Sequence, residues 1–195
     1  VYNELQPGEI VSKNPQETRL INATKVSGRT ASGLGIGVFN ALTKPQYATI
    51  EMNGKEVRRI ETEPLTNYNI LVLDQSLKNN SSVSLINTNV TRAGNDYDAN
   101  VTAALFDLYD KKNVWNVSGK AAVSQLTGYL PGGKNQTGYN HNIAMGKTGG
   151  RLNFILQQEF SDDKYNHNDM GYYTNNNFMS NYLWVSYKWL KPKGI

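Results

Sequence analysis

The segment with the densest chemistry is Asp162-Asp163-Lys164-Tyr165-Asn166-His167-Asn168-Asp169. Carboxylate and amide oxygens beside an imidazole are the donor types of a cation site. A calcium loop, however, needs acidic ligands at alternate positions and a closing bidentate Glu, and this run has neither. The habit of Asp and Asn to close turns on their own backbone accounts for it better, as a polar surface loop. His141 and His167 are the two histidines, and neither has a second ligand at metal-binding spacing, so no metal site is expected. Gly146-Lys147-Thr148 has the ending of a phosphate-binding loop, yet His141 stands where that loop requires its first glycine. Gly33, Gly35 and Gly37 copy part of a dinucleotide fingerprint. At a spacing of two they fall on one face of a strand with no helix after it, where they make room for a neighbour or let a sheet bend. There is no Cys, which excludes thiolate metal sites, disulfides and cysteine nucleophiles. No catalytic set is legible from spacing, so neither an enzyme nor a cofactor is expected.

The elements that must carry these residues read as strands. From Asn100 to Gln125 two alternating arms flank the turn Asp110-Lys111-Lys112-Asn113. In the second arm Trp115, Val117 and Val123 leave by one face and Asn116, Ser118 and Lys120 by the other. The first arm reads as Val101, Ala103 and Leu105 against Asn100 and Thr102. Similar alternation runs over Thr18–Ser27, Gly33–Leu42, Thr66–Ser76, Ser82–Thr91, Tyr139–Lys147, Arg151–Phe160 and Phe178–Leu190. With the two arms that makes about nine long strands. A small hairpin turning at Asn53-Gly54 fits between the second and third. Val1–Gln16, with Pro7-Gly8 and Asn14-Pro15, reads as an irregular lead-in, leaving 17–195 as a single β segment.

The chain has 195 residues, 38% of them hydrophobic, with 12 Tyr, 3 Trp and 5 Phe among many Asn, Thr, Ser and Gly. That is an all-β composition. A formal net charge of +4 without a basic stripe argues against nucleic acid as a partner. The connections alternate between short turns and longer loops, as in bacterial outer-membrane barrels. Ten residues at about 3.3 Å, tilted by about 40°, span roughly 25 Å, the height of a lipid-facing band. A soluble sandwich or barrel shows the same period of two and remains the alternative.

Ser32–Thr43, Ile60–Arg92, Asp96–Asp110 and Tyr165–Phe178 together resemble a Bacteroidota cell-envelope family. Its members join an N-terminal carbohydrate-binding module of the family-9 type to a C-terminal domain of unknown function. The resemblance implies that this chain is part of an outer-membrane β-barrel region, with any glycan role in a module outside it. Nine strands is an odd number, whereas single-chain bacterial barrels close with an even one, so further strands are expected beyond this chain.

The sequence expectation is therefore an all-β, antiparallel, up-and-down transmembrane β-barrel in the bacterial outer membrane, present as an incomplete set of strands. Its role would be scaffold, transport or surface assembly, with the lipid bilayer and other envelope proteins as partners. The alternative is a soluble all-β carbohydrate-binding module. Leu34, Ile36, Val38, Val101, Ala103, Leu105, Trp115, Val117, Val123, Leu152, Phe154, Leu156 and Val185 are expected to face lipid. Asn100, Thr102, Asn116, Ser118, Lys120, Arg151, Asn153, Gln157 and Glu159 are expected to line the lumen. Asn-x-Ser/Thr triplets begin at Asn22, Asn80, Asn89, Asn100, Asn116 and Asn135. Those at Asn22, Asn89, Asn100 and Asn116 fall within strands and read as a polar ladder on the inner face. Asn87 and Asn89 are expected to point inward and Ile86 and Val90 outward.

Overall fold

The computed structural model describes residues 1–189. The last part of the expected final strand, Leu190, and the tail 191–195 lie outside the described residues. Strand pairing throughout is antiparallel, and the described residues hold no helix beyond a single 3-10 turn at Tyr2–Glu4.

The described residues form twelve strands in two sheets. In chain order they are β1 (Glu9–Lys13), β2 (Leu20–Arg29), β3 (Leu34–Thr43), β4 (Gln46–Met52), β5 (Lys55–Glu63), β6 (Thr66–Ser76), β7 (Ser82–Arg92), β8 (Asp98–Tyr109), β9 (Trp115–Leu130), β10 (Lys134–Lys147), β11 (Leu152–Ser161) and β12 (Phe178–Tyr187). The large sheet has nine strands in the order β12-β11-β10-β9-β8-β7-β6-β3-β2, and the small one has the order β1-β4-β5. The large sheet is thus a meander interrupted once, between β3 and β6, by the β4–β5 hairpin. Its edges, β2 and β12, do not pair with each other among the described residues, so the sheet is open there.

The expected strands are all present, with two adjustments. The lead-in is not wholly irregular, because Glu9–Lys13 pairs with β4. The stretch 127–137, outside the strands read from the sequence, is a prolongation of β9 and β10, closed by the three residues Pro131-Gly132-Gly133. The small hairpin turns where expected, with Asn53 at φ 52° and Gly54 at φ 75°, the left-handed pair that a two-residue hairpin needs.

Register decides which side chains share a face. One unbroken row runs Ile36, Leu73, Leu85, Ala104, Ala121, His141, Phe160, Met179 across β3 to β12. Every second residue from these positions lies on the same side, which includes Trp115, Leu156 and Val185. We call this the Trp115 face. The opposite side carries Lys120, Asn142 and Glu159 and is called the Lys120 face.

Candidate functional site

The two faces are covered to very different extents. On the Trp115 face Ile36, Val38, Leu71, Leu85, Trp115, Val117, Met145, Leu156, Leu183 and Val185 are all exposed. Leu156 is 53% exposed and Leu183 64%. Leaving a large aliphatic side chain half in water forgoes roughly 1 kcal/mol, so a face with this many is costly unless something apolar covers it. The aromatic residues of the face cluster towards the strand ends. Trp115 meets Phe154 edge-on at 5.7 Å near the short turns, and His141 stacks on Phe160 with Tyr139 tilted against both near the long loops.

The apolar residues form a band that crosses the register obliquely. On β3 its centre is Ile36, whose row arrives at Met179 on β12. On β12 the centre is Val185, six residues further along the strand. Six residues at about 3.3 Å, against seven strand spacings of about 4.8 Å, make a slope of roughly 30°. A hydrogen-bonded polar line bounds the band on the loop side and climbs the same way. Asn40 Nδ2 donates to Asn69 Oδ1 at 2.8 Å, and Asn87 Nδ2 donates to Thr102 Oγ1 at 2.9 Å. On the later strands Gln158 Nε2 donates to Asn181 Oδ1 at 3.3 Å, and His141 Nε2 lies 3.4 Å from Gln158 Oε1.

Ten of the residues expected to face lipid share the Trp115 face: Leu34, Ile36, Val38, Trp115, Val117, Val123, Leu152, Phe154, Leu156 and Val185. Val101, Ala103 and Leu105 do not. The pairing of Leu108 with Val117 and of Thr102 with Val123 puts Asn100 and Thr102 on the Trp115 face and those three on the other. The cause is that β8 is apolar on both faces at its turn end, where Ala104, Phe106 and Leu108 alternate with Ala103 and Leu105. Reading the strand from its polar loop end therefore gave the wrong parity. The same exchange affects β7: Asn87 and Asn89 lie on the Trp115 face with Val83 and Leu85, and Ile86 and Val90 lie opposite. The Asn ladder exists, but Asn22, Asn89 and Asn100 place it beside the apolar band, and only Asn116 is across from it. Asn116, Ser118, Lys120, Asn153, Gln157 and Glu159 share the Lys120 face, and Arg151 precedes β11.

The Lys120 face is covered by the chain itself at the long-loop end. The connection 162–177 folds back over β10, β9 and the end of β7. Asn166 N donates to Ser124 Oγ at 3.0 Å, and Gln136 Nε2 donates to Lys164 O at 2.9 Å. Tyr165 is buried against Gly138, where an added Cβ would sit 2.2 Å from the Tyr165 nitrogen. Only glycine permits that approach. At the far end Asp169 receives the guanidinium of Arg92 and, at 2.9 Å, the hydroxyl of Tyr97. Arg92 also donates to Tyr97 O at 2.7 Å and lies 4.5 Å from the Tyr97 ring centroid. Beneath this contact Val90, Ala99 and Leu126 form a small core with Tyr68, Tyr97 and Met170.

Burial shapes the electrostatics of the loop. The Tyr165 hydroxyl is pushed up to about 12 by burial and by the neighbouring Tyr173. His167 lies tilted against Tyr173 with centroids 4.8 Å apart, and its pKa is lowered by burial and then by the charge of Lys120. The imidazole is therefore held neutral. The acidic segment is a turn network as expected: Asp162 Oδ1 accepts from the backbone of Lys164 and Tyr165, and Asn168 Oδ1 from Tyr173 N. No group of three or more His, Cys, Asp or Glu able to hold a metal occurs among the described residues.

Two cavities open on this side. One of about 470 Å³, lower on the Lys120 face, is bordered by Ser84, Asp107, Ser118, Lys120, Asn142 and Glu159. The other, about 390 Å³, lies between the folded loop and the β9–β10 hairpin and is bordered by Tyr129, Gln136, Tyr165, Tyr173 and several Asn. Nothing in the periodicity signalled the loop's inward packing. The clue available was Gly138, a glycine inside an otherwise alternating strand.

A family model described as a domain of unknown function (DUF5916) matches residues 1–195. The chain belongs to this family. No curated protein and no solved structure matches it.

Proposed function

We propose that this chain is the wall of an outer-membrane β-barrel, with the Trp115 face against lipid and the Lys120 face towards an interior. In this reading the loop 162–177 folds into that interior from the outer mouth and narrows it. The observation that carries the proposal is the slanted band of exposed apolar residues on the Trp115 face. A level hydrocarbon slab meeting strands tilted by roughly 30° selects a band with that slope, close to the tilt of known membrane barrels. The aromatic residues at both borders suit the headgroup level. No helix among the described residues is long and apolar enough to cross a membrane, so any crossing is made by strands. The resemblance to a Bacteroidota cell-envelope family, whose other module binds carbohydrate, points to the same location. The role inside the envelope would be scaffold, transport or surface assembly.

The absence of native Cys makes the test direct. Single cysteines at Val117, Met145 and Leu156 carry a fluorophore in liposome-reconstituted protein, with Ser118 and Asn142 as opposite-face controls. Quenching by lipid-borne nitroxides is expected for the first three, and by aqueous iodide for the last two. A chain that stays monodisperse without detergent and shows equal quenching on both faces would overturn the reading. One observation favours a second reading, a soluble module for neutral glycans: the cleft between loop and hairpin combines Tyr129, Tyr165 and Tyr173 with amides, planar apolar bodies beside hydrogen-bonding groups.

A further inference from the structure

A third cavity lies away from both faces, between the β2–β3 edge of the large sheet and the three-stranded sheet. It has a volume of about 620 Å³. Two of its cations come from one row of the small sheet, where Lys13 pairs with Thr49 and Thr49 with Arg59. The facing wall is the pair of connections entering β2 and leaving β3, held together by the bond from Lys44 N to Arg19 O at 2.8 Å. That bond sets Arg19 and Lys44 side by side at the rim although they are far apart in sequence. Lys13, Arg19, Lys44 and Arg59 border the cleft against one carboxylate, Glu17. Four positive charges less one negative leave +3, in a chain whose formal net charge is +4. Neighbouring carboxylates offset only part of this imbalance: Glu56 pairs with Arg59, and Glu61 bonds to the Tyr47 hydroxyl. Among the described residues Lys13, Arg19 and Lys44 join no ion pair, and Arg59 engages Glu56 through Nε alone.

A concave surface lined by one sign of charge focuses its field and concentrates counter-ions. Guanidinium and ammonium groups converging from two walls suit a ligand carrying more than one anionic oxygen group. We infer that this cleft binds a polyanion bearing at least two phosphates. A neutral glycan would leave the cations unmatched, and an apolar ligand would desolvate them without return. The cleft lies at the long-loop end of β3, where the Lys44-Pro45 connection leaves the sheet. Under the membrane reading that end is the outer surface, and the phosphates of a glycolipid headgroup are one source of the ligand. Free polyphosphate is the other. The charge of the cleft does not depend on what covers the Trp115 face, so only the lipid source rests on that reading.

The test uses the full chain and two probes. Calorimetric titration with sodium tripolyphosphate at low ionic strength is expected to show saturable binding that weakens steeply as salt is added. Co-flotation compares phosphatidylcholine vesicles with and without diphosphoryl lipid A. Enrichment only with lipid A assigns the headgroup as source, and tripolyphosphate binding without such enrichment assigns a free polyanion. R19E/K44E removes two cations at exposed positions outside strands, and is expected to lower affinity by roughly tenfold or more with an unchanged melt. K111E/K112E, the same charge change in the β8–β9 turn, is expected to leave binding intact. Absence of binding to both probes, or an equal loss in both double variants, would overturn the inference.

Discussion

The two faces of the nine-stranded sheet are made by the same strands, yet each meets a different kind of neighbour. The Lys120 face finds cover within the chain: loop 162–177 bonds to Ser124 and Gln136, presses Tyr165 onto Gly138 and ends in the Arg92–Asp169 contact. The Trp115 face, although the more apolar, has no element of the chain packed on it among the described residues, and keeps Leu156 and Leu183 more than half exposed. Polarity alone therefore does not say which side of a sheet becomes an interior. What distinguishes them is geometry: small residues such as Gly138 and Ser124 leave room for backbone on one face, and bulky aliphatic residues fill the other.

Asp169→Ala should disturb the covered face most. It leaves the Arg92 guanidinium largely buried without its carboxylate, a loss of about 3–5 kcal/mol in typical buried pairs. Hydrogen exchange should show residues 163–173 losing protection while the β8–β9 hairpin keeps its own. Leu156→Arg probes the other face. In a bilayer it should cost about 2–4 kcal/mol near the midplane, whereas in water an already exposed site should change within about 0.5 kcal/mol. Chemical unfolding from liposomes and from detergent-free buffer separates the two outcomes. Gly138→Ala should displace the loop with a penalty of about 1–3 kcal/mol, read as faster proteolysis between Asp162 and Asn177 and unchanged strand content.

The smallest effect concerns pH. His167 has its pKa lowered by burial, with Lys120 adding to it, so the undocked loop binds a proton more readily than the docked one. Docking is then complete above the ordinary imidazole pKa and weakens as pH falls below it. Loop protection should decline on acidification through that range, and His167→Gln should flatten the decline.

Much of the sheet was legible because alternation with a period of two survives wherever one face is apolar. Trp115 to Val123 and Leu152 to Leu156 gave both the strand and which residues share a side of it. β8 gave the strand but not the face, since Ala103, Ala104, Leu105 and Phe106 carry little polarity contrast and parity is then set by the hairpin turn. β1 was hidden between Pro7-Gly8 and Asn14-Pro15, whose turn signals outweigh five residues of alternation. The packing of the loop could not be read at all. Arg92 and Asp169 are 77 residues apart, and a single contact of that kind leaves no periodic trace. The basic cleft was invisible for the same reason, because its four cations come from four separate segments.

The slope of the apolar band has a further consequence for size. Six residues of slip over seven neighbours is close to one residue per strand, which in a closed sheet corresponds to a shear number near the strand number. The parallel eight-stranded barrel, with shear 8 and a tilt of about 36°, obeys that relation. Were such a sheet to close into a cylinder at the same stagger, as the proposed function has it, strand count alone would set the diameter, and each added hairpin would widen it without changing the tilt of the strands described here.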